Sequence, residues 1–255
     1  MTDPGLRGAE LARGFFASVV EPLLSRAVPG LRYAAARLGS GSDVLGLDDE
    51  MSRDHDWGCR LTLLAWYPPD VERYVLAAGW QRLCQSLPMV GRAAEAGDEL
   101  GSRLLSAGLA GDLLQLAFTL SRRWAPYAKW RGTAFRSLPA AARLGPLLDT
   151  ASAARGWRQR ESALAAGCEM LLSIQREQGQ PAPESAVIPF FDRPYRTVDQ
   201  AVPRGLLAAI TDPDVARLPP MVGSIEQWAD STDVLSSPGR RAVLQTAYRA
   251  WADAG

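Results

Sequence analysis

Lysine and histidine are almost missing from this chain. Of its 28 basic residues only Lys129 is a lysine, and His55 is the sole histidine. A bias toward arginine follows from GC-rich coding and says little by itself. A single lysine in that background is a candidate for a place where a compact ammonium is wanted and a planar guanidinium is not. Cysteine is also scarce. Cys59, Cys84 and Cys168 are far apart and odd in number. That argues against a disulfide framework or a zinc site and fits reduced, buried thiols in a cytoplasm. Neither sign of charge is in surplus, with 28 basic and 28 acidic residues. The balance argues against a non-specific grip on long nucleic acid, and leaves room for a local basic pocket. No apolar run is long enough to span a bilayer, so no membrane partner is expected. The opening MTDPGLRGAE lacks a basic start followed by an apolar stretch and does not read as a signal peptide.

What is present is a chain of 255 residues, 47% of them hydrophobic, enough for a sizeable core. Residues 8–27 place Leu11, Phe15, Phe16, Val19, Val20, Leu23 and Leu24 at helical spacing, and Pro29-Gly30 ends the run. Residues 31–38 alternate like a short strand, and residues 54–67 read as a second one with Gly58 as a possible bulge. After Pro68-Pro69 the spacing predicts helices over 70–87, about 92–109, 110–136 and 156–178, and a closing helix over 238–252. Residues 185–235 are rich in Pro, Asp and Gly and give no clear pattern. The expected class is α+β and helix-dominated, with a small mixed-sheet α/β domain over 1–105 followed by a helical domain over 106–255.

The chemistry is concentrated in residues 39–58, GSGSDVLGLDDEMSRDHDWG. On a strand, side chains alternate, so Asp54 and Asp56 share a face roughly 6–7 Å apart at a rise of about 3.3 Å per residue. Two carboxylates at that spacing suit Mg²⁺ or Mn²⁺, hard cations that favour carboxylate oxygen and leave positions open for water and phosphate. Two such metals bridging attacking and leaving oxygens are a known solution for in-line nucleotidyl transfer. Upstream, Gly41-Ser42 and Gly46 form GS-x-x-x-G. Glycine lets the backbone approach a phosphate, and the Ser42 hydroxyl and the amides opening a short helix can donate to it.

GS-x-x-x-G followed by S-x-D-x-D resembles the signature of the polymerase-beta-like nucleotidyltransferase superfamily, which includes kanamycin nucleotidyltransferase. The fuller string SRDHDWG is similar to that of an uncharacterised bacterial branch known only as a domain of unknown function. The strings PYAKWRGTAFRSLP (126–139) and FFDRPYRTVD…LPPMVGSIEQWADSTDVLSS (190–237) resemble the same branch. The resemblance implies Mg²⁺-dependent transfer of a nucleoside monophosphate, AMP first among them, from ATP or another NTP to a small-molecule acceptor. Gly41 and Ser42 would hold the triphosphate, and Asp54 and Asp56 the metals. In many members a third carboxylate on a following strand activates the acceptor. Here the chain turns helical after Tyr67, and the nearby acids Glu95, Asp98 and Glu99 stand in a helical context. The alternatives are a nucleotide-binding module without transfer activity, and the fold recruited for other chemistry on a biosynthetic intermediate.

Other residues carry two readings each. His55 points to the opposite face of the strand from Asp54 and Asp56, which favours a structural role over that of a general base. Arg53 either reaches a phosphate or pairs with Asp48 or Asp49, and the run Asp48–Glu50 is most simply a solvated loop. Lys129 stands among Trp124, Tyr127 and Trp130. It is either a snorkelling surface lysine, or it sets its ammonium on the β- and γ-phosphates with Tyr127 or Trp130 near the base. Arg131, two positions on, faces elsewhere. Trp228 and Asp230–Asp233 either help close an acceptor pocket or cap the domain.

Overall fold

The computed structural model describes residues 8–27, 34–36, 62–64, 66–126, 128–229, 231–235 and 237–254. In chain order, α1 (Gly8–Phe15) continues through a π-helical stretch (Phe16–Val20) into α2 (Glu21–Ala27). Then come β1 (Ala34–Ala36), β2 (Thr62–Leu64), α3 (Pro69–Glu95), α4 (Glu99–Leu120) and α5 (Ala128–Phe135). α6 (Ala141–Ala153) and α7 (Trp157–Glu177) lead to β3 (Val187–Pro189) and β4 (Arg196–Val198). α8 (Ala201–Ala208), α9 (Pro213–Ala216), α10 (Ile225–Trp228), α11 (Thr232–Leu235) and α12 (Pro238–Ala254) complete the described elements. The class is helix-dominated α+β, as composition and periodicity lead one to expect. Among the described residues no helix is long and apolar enough to cross a membrane.

The chain divides into two compact units. One takes residues 1–66 and 126–134, and the other takes 67–125 and 135–255. Residue 105, at the end of the expected first domain, lies within α4. In the first unit the helical run over 8–27 matches its periodicity, although Phe15, Val19 and Leu23 along it are exposed. β1 and β2 pair antiparallel, with Ala34 opposite Leu64 and Ala36 opposite Thr62. Each strand falls inside the stretch whose alternation pointed to it.

The second unit is built on the antiparallel pair α3–α4. Its turn is written in three residues. Gly97 takes a φ of 85°, the left-handed conformation that glycine adopts without a Cβ clash. The amides of Asp98 and Gly97 then close back onto the Ala93 and Ala94 carbonyls at 2.9 and 3.0 Å. The Asp98 carboxylate caps the next helix by accepting from the Gly101 amide at 2.7 Å. Gly79 allows Leu116 to close against α3, since a Cβ there would lie 2.8 Å from the leucine Cδ2. α7 packs across this pair, and Trp80, Leu83, Leu87, Leu113, Leu116 and Leu164 are buried between the helices. Each such side chain contributes roughly 1.5–3 kcal/mol by leaving water. The Trp80 indole donates to Gln175 Oε1 at 2.7 Å, and Gln175 in turn donates to the Pro181 carbonyl at 2.6 Å. A buried polar contact is thus satisfied at each step.

α3 does not stop at residue 87, where Pro88 suggests a break. It runs on to Glu95 with Pro88 inside it. Proline brings no amide to the carbonyl four residues back, which here is Cys84. The Thr197 hydroxyl of β4 donates to that carbonyl at 3.2 Å. The hairpin β3–β4, with Val187 opposite Val198, is therefore tied to α3 at the proline. It is tied to α7 as well. The Glu169 carboxylate accepts from Ser185 Oγ and from the Ala186 and Val187 amides at 2.6, 3.1 and 2.9 Å, and Glu161 accepts from the Arg196 amide at 3.0 Å.

The string GSIEQW forms a clasp on α3. Gln227 accepts from the Ser224 amide at 2.9 Å and donates to the Val75 carbonyl at 3.0 Å, while Arg82 donates to the Gln227 carbonyl at 2.7 Å. Trp228 donates to the Tyr248 hydroxyl on α12 at 2.6 Å. These bonds tie the string to α3 and α12 within the helical unit. Cys84 and Cys168 are free and buried. Burial pushes the Cys84 thiol up to about 12 and raises that of Cys168 as well, so both stay protonated.

Candidate functional site

Gly41, Ser42, Asp54, Asp56 and Tyr127 lie outside the described residues, as do Asp48, Asp49, Glu50, Arg53 and His55. Lys129 is described. It sits in the first turn of α5, exposed, with its Nζ 4.9 Å from the Trp130 ring centroid. That is cation–π distance, so the ammonium is drawn over the indole face. The same helix carries two donors that are short of partners. The Trp130 indole nitrogen and Arg131 Nε are both buried and make no hydrogen bond among the described residues. Residues 126–134, which carry all three side chains, belong to the same compact unit as residues 1–66.

The three acids that stood nearest as a third carboxylate are each occupied. Glu95 accepts from the Tyr195 hydroxyl and pairs with Arg158 at 3.5 Å. Asp98 caps α4. Glu99 takes both ends of the Arg160 guanidinium, at 2.8 and 3.2 Å, and also pairs with Arg103. Hydrogen bonds from Arg160 and Arg103 hold the Glu99 carboxyl below its ordinary value. Arg160 is fully buried and donates further to the Ala154 and Arg155 carbonyls and to Ser102 Oγ. The cluster joins α4 to α7 and serves the fold. Among the described residues no three of His, Cys, Asp and Glu gather in a way that could hold a metal ion.

The structure also brings together residues that spacing did not reveal. Glu72, 1% exposed, is gripped by Arg122 through Nε and Nη2 at 3.1 and 3.3 Å. Arg122 closes α4 in the left-handed conformation, with a φ of 51°. The spacing, which predicts helices over about 92–109 and 110–136, hid this helix end: α4 runs unbroken over Glu99–Leu120 and α5 begins only at Ala128, and nothing local points to the acid fifty positions away. Around this helix end lies a cavity of about 620 Å³ that draws Arg122, Arg123 and Arg143 together over Leu120, Met170 and Ile174. A second cavity, about 500 Å³, lies beneath the β3–β4 hairpin beside Glu169 and Tyr195. The Glu169 carboxylate there is already taken by the hairpin amides.

Compared with known proteins, residues 54–131 match the family described as domain of unknown function DUF4037. The matched stretch opens on Asp54 and closes on Arg131, and spans under a third of the chain. No curated protein and no solved structure matches.

Proposed function

We propose that the chain is a Mg²⁺-dependent nucleotidyltransferase that moves AMP, or another nucleoside monophosphate, from an NTP to a small acceptor in the cytoplasm. The observation that carries this reading is the arrangement of Gly41-Ser42, Gly46, Asp54 and Asp56 in the sequence. The family match, which names no activity, runs from the first of these acids to the Lys129-Trp130-Arg131 triplet. Unit membership supports it from a second side, because residues 126–134 group with residues 1–66 and not with the helical body that precedes and follows them.

In this reading Asp54 and Asp56 hold the metal, which when bound neutralises phosphate charge. Gly41 and Ser42 cradle the triphosphate. Lys129 supplies a point charge to the β- and γ-phosphates, and Tyr127 and the Trp130 face border the base. An acceptor hydroxyl, carboxylate or amine attacks the α-phosphorus and pyrophosphate leaves. The test is pyrophosphate release from ATP with a panel of small acceptors, comparing wild type with an Asp54→Asn, Asp56→Asn double variant. Equal release from the two proteins would sink the proposal.

A second reading, nucleotide binding without transfer, draws on the engagement of Glu95, Asp98 and Glu99 in structural bonds. Calorimetric ATP binding with no pyrophosphate release across the acceptor panel would favour it.

A further inference from the structure

We propose that the cavity at the C-terminal ends of α4 and α7, whose lining includes no residue of the GS…DxD motif, binds a small phosphate monoester. Three arginines line it, each on a different footing. Arg122 is locked in place by the buried Glu72 carboxylate. Arg123 is steadied by Ser137, with its Nη1 donating to the serine Oγ at 3.2 Å. Arg143 stands exposed on α6, and its side chain makes no hydrogen bond or ion pair among the described residues. A single carboxylate is satisfied by one arginine fork, whereas the three oxygens of a phosphoryl dianion accept from several directions at once. Three arginines around one cavity therefore favour phosphate. Glu72 offsets Arg122 and the lining acid Glu177 offsets one of the other two, so the balance is positive by one charge.

A helix C-terminus ordinarily repels an anion, because its last carbonyls point outward unpaired. At α4 those carbonyls are taken. Ala117, Phe118 and Thr119 accept from the Ser121, Arg123 and Arg122 amides at 3.0, 3.1 and 3.0 Å. Leu120 accepts from Gln178 Nε2 of the α7 end at 2.6 Å. The helix end is thereby quenched and the guanidiniums dominate. Arg122 also stands where glycine is the usual residue, in a chain with 23 glycines. Glycine there would relieve the backbone and lose the guanidinium. The volume, about 620 Å³, is that of a small-molecule pocket, and Leu120, Met170 and Ile174 offer an apolar wall for the organic part of the ester.

The experiment is isothermal titration of the full chain with phenyl phosphate, and separately with inorganic phosphate and benzoate. Phenyl phosphate is expected to give saturable binding at least about tenfold tighter than either comparison ligand. The Arg123→Gln, Arg143→Gln double variant should weaken it by about tenfold or more with an unchanged melting temperature, since two charge-assisted bonds are removed from exposed side chains. Arg143→Gln alone should weaken it with no effect on folding. The Asp54→Asn, Asp56→Asn variant should bind phenyl phosphate as wild type does, which separates this site from the proposed nucleotide site. The proposal is overturned by absence of saturable phenyl phosphate binding, by inorganic phosphate or benzoate binding equally well, by undiminished affinity in the arginine variants, or by loss in the aspartate variant.

Discussion

The Thr197 hydroxyl donates to the Cys84 carbonyl, the acceptor that Pro88 leaves without its helical amide. A residue of the β hairpin thus completes the hydrogen bonding of a helix more than a hundred positions earlier. Thr197→Val keeps the shape and removes the donor. It should cost about 1–2 kcal/mol, the usual penalty of an acceptor left unpaired. In a Pro88→Ala background the helix can supply its own amide, and the same change should cost little. A double-mutant cycle by chemical denaturation measures the difference. An equal cost in both backgrounds would break the link between proline and threonine.

Arg122 holds Glu72 across the end of α4 while itself sitting at a positive φ. Arg122→Gly would relieve about 1 kcal/mol of backbone strain. It would also leave a carboxylate that is 1% exposed without its cation. Loss of a partner to a buried charge costs 3–5 kcal/mol in a fully buried pair, and less here because the arginine side chain is 58% exposed. The expected net loss is about 1–2 kcal/mol, with partial recovery when Glu72→Gln is added. Urea midpoints of the two variants decide the matter, and a stabilised single variant would contradict the account.

Two glycines on the same helical hairpin should respond oppositely to alanine. A Cβ on Gly91 would lie 2.7 Å from both the Trp157 and the Tyr195 rings, which stack against each other with centroids 5.7 Å apart. Gly91→Ala should cost about 1–3 kcal/mol through overpacking. Gly108 is exposed on α4 and a Cβ there meets nothing within 4 Å. Gly108→Ala should gain about 0.5–1 kcal/mol from helix propensity. Thermal melts of the pair read both signs.

Much of this fold is legible in the sequence, because helical spacing is a local signal. The runs over 8–27, 157–177 and 238–254 follow directly from it. The failures have physical causes. Pro88 reads as a stop only while Thr197 is unknown, since the compensating donor is remote. α6, with Pro146 inside it, and the β3–β4 hairpin, with Pro189 and Pro194, carry breaker residues that hide their regularity. The candidate site shows the same division. Lys129 is visible as the lone lysine, whereas Glu72 and Arg122 meet only through the α3–α4 turn. The hold of Tyr195 on Glu95 and of Arg160 on Glu99 is invisible in any spacing.

Asp70 should set part of the acid limit of the fold. Its carboxylate accepts from the Asp212 and Thr211 amides at 2.7 and 2.9 Å, from the Thr211 hydroxyl, and from Arg73. These donors favour the charged form and lower its pKa from 3.8 to about 2. A carboxyl depressed in the folded state stabilises above its unfolded value, and that contribution is lost as the pH falls through the folded value. Wild type should therefore exceed Asp70→Asn in stability by a nearly constant margin above about pH 4, and the margin should shrink as the pH falls from there through about 2. Denaturation midpoints taken between pH 7 and 2 test this, and a margin undiminished at pH 2 would contradict it.

The central claim rests on Asp54, Asp56 and Lys129, and one assay reaches it most directly. Pyrophosphate release from ATP is followed with Mg²⁺ and an acceptor panel for wild type, for Asp54→Asn with Asp56→Asn, and for Lys129→Gln. The proposed chemistry gives turnover in wild type. It predicts a fall of at least about a hundredfold in the aspartate variant, and about tenfold or more in the lysine variant, as a lost charge on the leaving phosphates requires. Release at the wild-type rate from the aspartate variant would contradict it.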